Sequence, residues 1–256
     1  MPTTYAHKKQ QLYLALSGIF LVNALLAEII GVKIFSVEKT FPGLASALHL
    51  SGSLSAGVLV WPAVFITTDV INEYFGRRGV LRISLLTVGL ILYAFLVVLG
   101  TTRLAPADFW LHLNQTDSQG RPFDVEFAYQ SIFRQGLGII VGSLLAFIVG
   151  QVLDASVFQL FRRITGSRFI WLRATGSTLI SQLVDSFVVL YVAFYLFGNW
   201  PLAQVQSVGW FNYWYKFAAA VVLTPLLYLA HFLIDRYLGP EETAELQQQA
   251  AADAGV

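Results

Sequence analysis

Apolar residues along this chain fall in six long, nearly unbroken runs, at 12–32, 55–72, 80–100, 131–153, 175–197 and 213–237. A helix needs about 20 mostly apolar residues to cross a bilayer, and each run is close to that length or above it. None shows the strict alternation of a membrane barrel strand, and an open strand in lipid would leave its backbone unpaired. The pattern predicts an all-α integral membrane protein, a six-transmembrane-helix bundle over residues 1–238. The polar, Gln/Ala/Glu-rich stretch 239–256 is expected to be a cytoplasmic flexible tail. The polar start with Lys8 and Lys9 precedes an apolar run too long for a cleaved signal, so that run is expected to be the first span.

Composition supports lipid as the solvent. Hydrophobic residues make up 56% of the chain and charged residues 12%, against about 25% charged in soluble domains. The formal net charge of +1 gives no global basic field for nucleic acid. Cysteine is absent, which excludes disulfides and thiolate metal sites. The loops assign direction, because Lys and Arg concentrate on the cytoplasmic side. With the N-terminus inside, Lys8, Lys9, Arg77, Arg78, Arg82, Arg162, Arg163, Arg168, Arg173 and Arg236 are inside; Lys33, Lys39, Arg103, Arg121, Arg134 and Lys216 are outside. The expected topology is N-in/C-in, as a multi-pass protein of an inner (plasma) membrane. Residues 155–164, mixing Phe158 and Phe161 with arginines, read as a helix lying on the inner surface.

Polar residues inside the runs carry the candidate chemistry. An ionisable group at the bilayer centre costs about 2.5–3.5 kcal/mol on insertion scales, so such groups face protein or a wet cavity. In the second run Trp61, Pro62, Phe65, Asp69, Asn72 and Glu73 share an arc of about 120°. In the fifth, Ser177, Thr178, Ser181, Gln182 and Asp185 share about 140°, opposite an apolar face. Small and hydroxyl residues also serve helix packing, and Glu73 or Asp69 could equally pair with arginines at a helix end. Further intramembrane polar groups are Asn23, Glu28, Gln151, Asp154, Lys216 and His231. Lys216 lies near the outer interface, where it could snorkel, and His231 lies one turn from Asp235. No Gly-Lys-Ser/Thr phosphate loop, His-Glu-x-x-His or Gly-x-Ser-x-Gly is present. The expectation is a non-enzyme without cofactor or metal.

Taken together, Pro62…Thr68-Asp69…Asn72-Glu73-Tyr74…Gly76, Ser143…Gln151…Asp154…Phe158, Trp171…Arg173…Gly176-Ser177-Thr178…Ser181-Gln182…Asp185…Phe187 and Lys216…Thr224-Pro225…Tyr228 resemble the queuosine-precursor transporter family, also grouped as vitamin-uptake-type transporters. The resemblance runs from about residue 12 to 237. It implies import of 7-deazaguanine bases (the 7-cyano and 7-aminomethyl precursors, or queuine) for transfer RNA modification. Ser186 departs from the Thr common after the aspartate. A deazaguanine offers a donor edge that suits a carboxylate accepting two parallel hydrogen bonds and a flat ring that stacks on aromatics. Asp69 and Asp185 are the candidate carboxylates, with Gln182 and Asn23 on the remaining edge and Trp61 or Phe65 under the ring. Asn72, Glu73 and Glu28 are further contacts. Ser181, Gln151, Asp154 and Lys216 are candidates for coupling or support. The partners expected are this small molecule, the bilayer and a second protomer in a homodimer. Two other readings fit six spans: a substrate-binding subunit of an energy-coupling-factor importer, although the first run lacks Ala-x-x-x-Ala, and half of a major-facilitator-type carrier.

Overall fold

The computed structural model describes residues 2–31, 33–48, 52–133, 137–165, 170–196 and 200–252. Val32, Arg134, Arg168 and Phe197, with the side chains of Trp171, Arg173 and Thr178, lie outside the described residues. The chain is almost entirely helical, and an all-α membrane protein is what its long apolar helices make. The first is α1 (Pro2–Ile30). A short antiparallel pair follows, β1 (Ile34–Ser36) with β2 (Ser53–Ser55), enclosing α2 (Val37–Thr40) and α3 (Pro42–Leu48). Then come α4 (Trp61–Thr101), α5 (Asp108–Leu113), α6 (Val125–Phe133), α7 (Leu137–Thr165), α8 (Ile170–Val189) running into a π-helical turn (Leu190–Leu196), α9 (Leu202–Leu238) and α10 (Pro240–Ala252).

Among the described residues, four helical stretches are long and apolar enough to cross a membrane as they stand: His7–Ile30, Trp61–Thr101, Gly142–Thr165 and Leu202–Leu238. The 41 residues of α4 contain the second and third apolar runs and are not one rod. Gly76 sits at φ 68°, ψ −178°, a conformation essentially restricted to glycine. Beyond it the chain doubles back. A Cβ placed on Gly79 would lie 3.5 Å from Ile71 Cγ2, whereas eight residues of straight helix span about 12 Å. The two arms, 61–75 and 77–101, therefore form a helical hairpin, and Val64 and Ile71 of the first arm share a core with Val80, Ile83 and Ile91 of the second.

That hairpin is the centre of the bundle. Its first core joins Phe20 and Ala24 of α1 and Leu144, Phe147 and Ala155 of α7. Its second joins Val70 and Tyr74 to Phe158 of α7, Leu227, Ile234 and Leu238 of α9 and Leu246 of α10. Large apolar side chains instead face outward from the arms and from α9, among them Leu85, Leu86, Leu96, Val222 and Phe232, as lipid allows and water does not. At one end α9 carries a chain of ring contacts through Trp210, Tyr213, Trp214 and Phe217, the residue types of a membrane interface. The other end gathers Lys8, Lys9, Arg78 and Arg162 around α10.

Two expectations change at this basic end. Residues 155–164 continue α7 rather than lying on a surface: Phe158 is fully buried, as are Gln159 and Arg162. The segment expected as a flexible tail is written as α10. Its Leu246 is 1% exposed, and Lys8 meets Glu242 at 3.5 Å while Lys9 donates to Gln249 at 2.9 Å. The sequence 240–252 has few apolar residues, but Thr243, Leu246 and Ala250 recur at the 3–4 residue spacing that gives one helix face. In the long connection 102–124, Arg121 holds Asp117 at 2.6 Å, and its backbone N–H and guanidinium keep that carboxyl below its ordinary range.

Candidate functional site

Three helices converge on a narrow cleft inside the bundle. The first arm of α4 contributes Trp61, Phe65 and Thr68, spaced by four and three residues and so stacked on one face. From α7 come Phe147, Gly150, Gln151 and Asp154, again one face, and from α8 Gln182 and Asp185. The walls separate by chemistry. Trp61 stacks on Phe65 with centroids 5.6 Å apart and meets Phe147 at 6.2 Å. Beside these rings the lining carries the carboxylates of Asp154 and Asp185 and the amides of Gln151 and Gln182. Gly150 lets α7 and α8 approach here: a Cβ on it would lie 3.5 Å from Asp185 Cβ. The cleft holds a cavity of only about 10 Å³. A bicyclic ring fits only when the three helices part.

Each polar group in the cleft has a distinct situation. Asp185 Oδ2 accepts from Lys216 Nζ of α9 at 2.5 Å, with both side chains nearly buried. Lys216 thus reaches inward instead of snorkelling, because an unpaired Asp185 here would cost more than extending the lysine. Asp154 Oδ1 accepts from Ser181 Oγ at 3.1 Å, which places Asp154 in the cleft rather than in the basic loop. Gln151 Oε1 is 3.5 Å from Thr68 Oγ1, whose better bond, at 2.8 Å, goes to Val64 O. Gln182 Oε1 is buried and has no hydrogen-bond partner among the described residues. Such an acceptor normally finds a donor, so the cleft presents an unfilled position for an N–H.

The other residues singled out in the sequence lie around the cleft, not in its lining. Asp69 is 6% exposed, and its Oδ1 is without a donor among the described residues; Asp154 and Glu73 are the charges acting on it. Asn72 and Glu73 belong to a hydrogen-bonded cluster towards the basic end. Asn72 Nδ2 donates to Ala155 O at 3.3 Å, and Gln159 Nε2 donates to Asn72 Oδ1 at 2.7 Å. Arg162 sits 3.7 Å from Glu73 Oε1, donates to Glu73 O at 3.0 Å and to Gln247 O of α10 at 2.6 Å. Glu28 accepts from Ser143 Oγ at 2.5 Å, joining α1 to α7. Asn23 donates to Ile19 O of its own helix at 2.8 Å. His231 Nδ1 lies 2.8 Å from Leu227 O, and Asp235 accepts instead from Tyr74 OH at 2.6 Å. Phe147 and Gly150 were not picked out from sequence, although their spacing to Gln151 and Asp154 puts all four on one face. Gln159 and Arg162 were hidden by reading 155–164 as a surface helix.

Comparison with known proteins agrees with this picture. Residues 55–230 match the family described as "Putative vitamin uptake transporter", a span that contains every cleft-lining residue. The chain is 33% identical over 179 residues to the "Probable queuosine precursor transporter" of Bacillus subtilis, covering 70% of this chain and 72% of that one. It is 23% identical to the protein of the same description from Haemophilus influenzae, covering 74% and 73%. To the "Queuosine precursor transporter" of Escherichia coli it is 29% identical over 112 residues, 43% and 49% of the two chains. No solved structure matches.

Proposed function

Since the chain belongs to the vitamin uptake transporter family, we propose that it is an importer of queuosine precursors, 7-deazaguanine bases, in the plasma membrane. The relatives named for that cargo motivate the substrate class. The observation that carries it to this chain is the cleft, where an aromatic wall stands beside two carboxylates and the unpartnered acceptor of Gln182. A deazaguanine ring slides between Trp61, Phe65 and Phe147 by stacking, which is worth about 1–3 kcal/mol per base. Its donor edge replaces Lys216 at Asp185, or meets Asp154, through charge-assisted bonds. Gln182 Oε1 takes a further N–H. An aminomethyl cation gains from the surplus of carboxylates over lysine.

The closed cleft fits a carrier at rest between its two open states. Lys216 neutralises Asp185, so opening that pair needs either a ligand that offers equivalent donors or a proton. We place the two arms of α4 as separate crossings, giving six with α1, α7, α8 and α9, and the basic end in the cytoplasm in keeping with the Lys/Arg bias. Flux follows by facilitated or proton-coupled exchange, with consumption in transfer RNA modification drawing it inward.

The deciding experiment is uptake of labelled 7-cyano- and 7-aminomethyl-7-deazaguanine into cells unable to make them, with and without this chain, and with a proton uncoupler. Restored queuosine in transfer RNA is expected. Its absence, with the protein present in the membrane, rejects the proposed cargo; uncoupler-insensitive uptake selects facilitated exchange.

A further inference from the structure

A second cavity, of about 440 Å³, lies at the basic end, away from the cleft and unused by the transport reading. It is framed by α1, the α4 hairpin and α10, and its polar lining is Lys9, Gln10, Arg78, Arg82, Tyr13, Tyr74 and Gln249. Three of these side chains are cations, and no carboxylate is among the described residues that line it. Neighbouring acids already have partners: Glu242 with Lys8, and Glu245 and Asp235 with Gln249 and Tyr74 of the lining. Tyr13 OH donates to Gly79 O at 2.9 Å, which fixes the floor where the hairpin turns. Concentrated positive charge around a concave space favours an anion with several acceptor oxygens, and a phosphate group is the chemistry that matches it.

The surroundings choose the source of that phosphate. Arg82 is exposed, and one helical turn further along the same arm stand Leu85 and Leu86, exposed by 61% and 55%. One turn beyond Gln10, also in the lining, stands Leu14, exposed by 72%. These leucines are outward faces of membrane helices, so they continue the cationic cavity into an apolar track. A molecule with a phosphate at one end and hydrocarbon at the other satisfies both. We infer that this cavity is a binding site for the headgroup of an anionic phospholipid, its acyl chains lying along Leu14, Leu85 and Leu86. Because α10 closes one wall through Gln249, the lipid also ties the last helix to the hairpin.

The test is native mass spectrometry of the full chain released from nanodiscs of phosphatidylcholine containing phosphatidylglycerol. Wild-type protein is expected to retain phosphatidylglycerol in preference to phosphatidylcholine. Lys9→Ala and Arg82→Ala are each expected to lower that retention roughly fivefold, the usual effect of one cation near an anionic surface. Arg163→Ala, which removes an exposed cation outside the cavity, should leave retention unchanged, and Arg82→Lys should keep most of it. Thermal unfolding of each variant confirms a folded protein. Equal losses in Arg163→Ala would reduce the effect to general surface charge and overturn the site. Stabilisation of lipid-free protein by inorganic phosphate, with no preference among lipids, would overturn the lipid assignment. Neither result touches the transport reading, which uptake alone decides.

Discussion

The first arm of α4 feeds two buried polar regions only a few residues apart, and they are built on opposite plans. Around Asn72 and Glu73 most polar groups are held by protein: Gln159 bonds Asn72, Asn72 bonds Ala155, and Arg162 bonds both Glu73 and the carbonyl of Gln247, while Gln159 Oε1 has no donor among the described residues. Around Trp61, Phe65 and Thr68 the polar groups are more loosely served. Gln182 Oε1 has no donor among the described residues, and Gln151 is held only at 3.5 Å. A densely bonded network specifies a fold, while loosely held groups beside an aromatic face leave bonds for a ligand. One motif, Thr68-Asp69…Asn72-Glu73, thus contributes to both, with Asp69 at the seam.

Four single substitutions and one double variant test the two regions, in falling order of effect. Arg162→Ala leaves Glu73 buried without its cation and frees α10, which is expected to cost about 3–5 kcal/mol. Detergent thermal unfolding should show the loss, together with poor membrane yield; wild-type stability would mean the cluster is not structural. Asp185→Asn should instead act on uptake, lowering it by about tenfold to a hundredfold, since hydrogen bonds to charge are worth about 1.5–3 kcal/mol. The double variant Asp185→Asn with Lys216→Met removes the stranded lysine. It should recover stability without recovering uptake, and recovered uptake would show that the pair only supports the fold. Gln182→Leu should raise the KM for uptake about twofold to tenfold, the worth of one neutral hydrogen bond, with unfolding unchanged. Asn23→Ala should move uptake by less than about twofold, because its amide already serves Ile19 and such local bonds contribute little.

Much of the fold was legible because lipid imposes a simple rule on sequence. The apolar runs mark the long helices, and the stripes on the second and fifth runs do face the interior. The hairpin within α4 was readable as a gap between two runs, and Gly76 supplies its turn. Most of the cleft's polar lining was legible residue by residue, but not the cleft as an assembly. Helical spacing told which side chains share a face, yet not that Asp154 and Asp185 would line one cleft while Asp69 stayed outside its lining. Asn23 looked equivalent to Gln182 because a periodicity argument cannot see that one amide bonds its own backbone while the other's Oε1 finds no donor among the described residues. The end of α7 and the start of α10 were misread for a common reason. Both are too polar to signal burial, and both are buried by contacts with each other's region: Arg162 with Gln247, and Leu246 against the core of Phe158.

The bond between Arg162 and the Gln247 carbonyl also sets an order of assembly. Arg162 enters the membrane region long before α10 is synthesised, so during insertion the Glu73–Arg162 pair is open on one side. The packing around Arg162 closes only once α10 lies beneath the hairpin, so the polar helix outside the long apolar runs completes a contact that begins inside them.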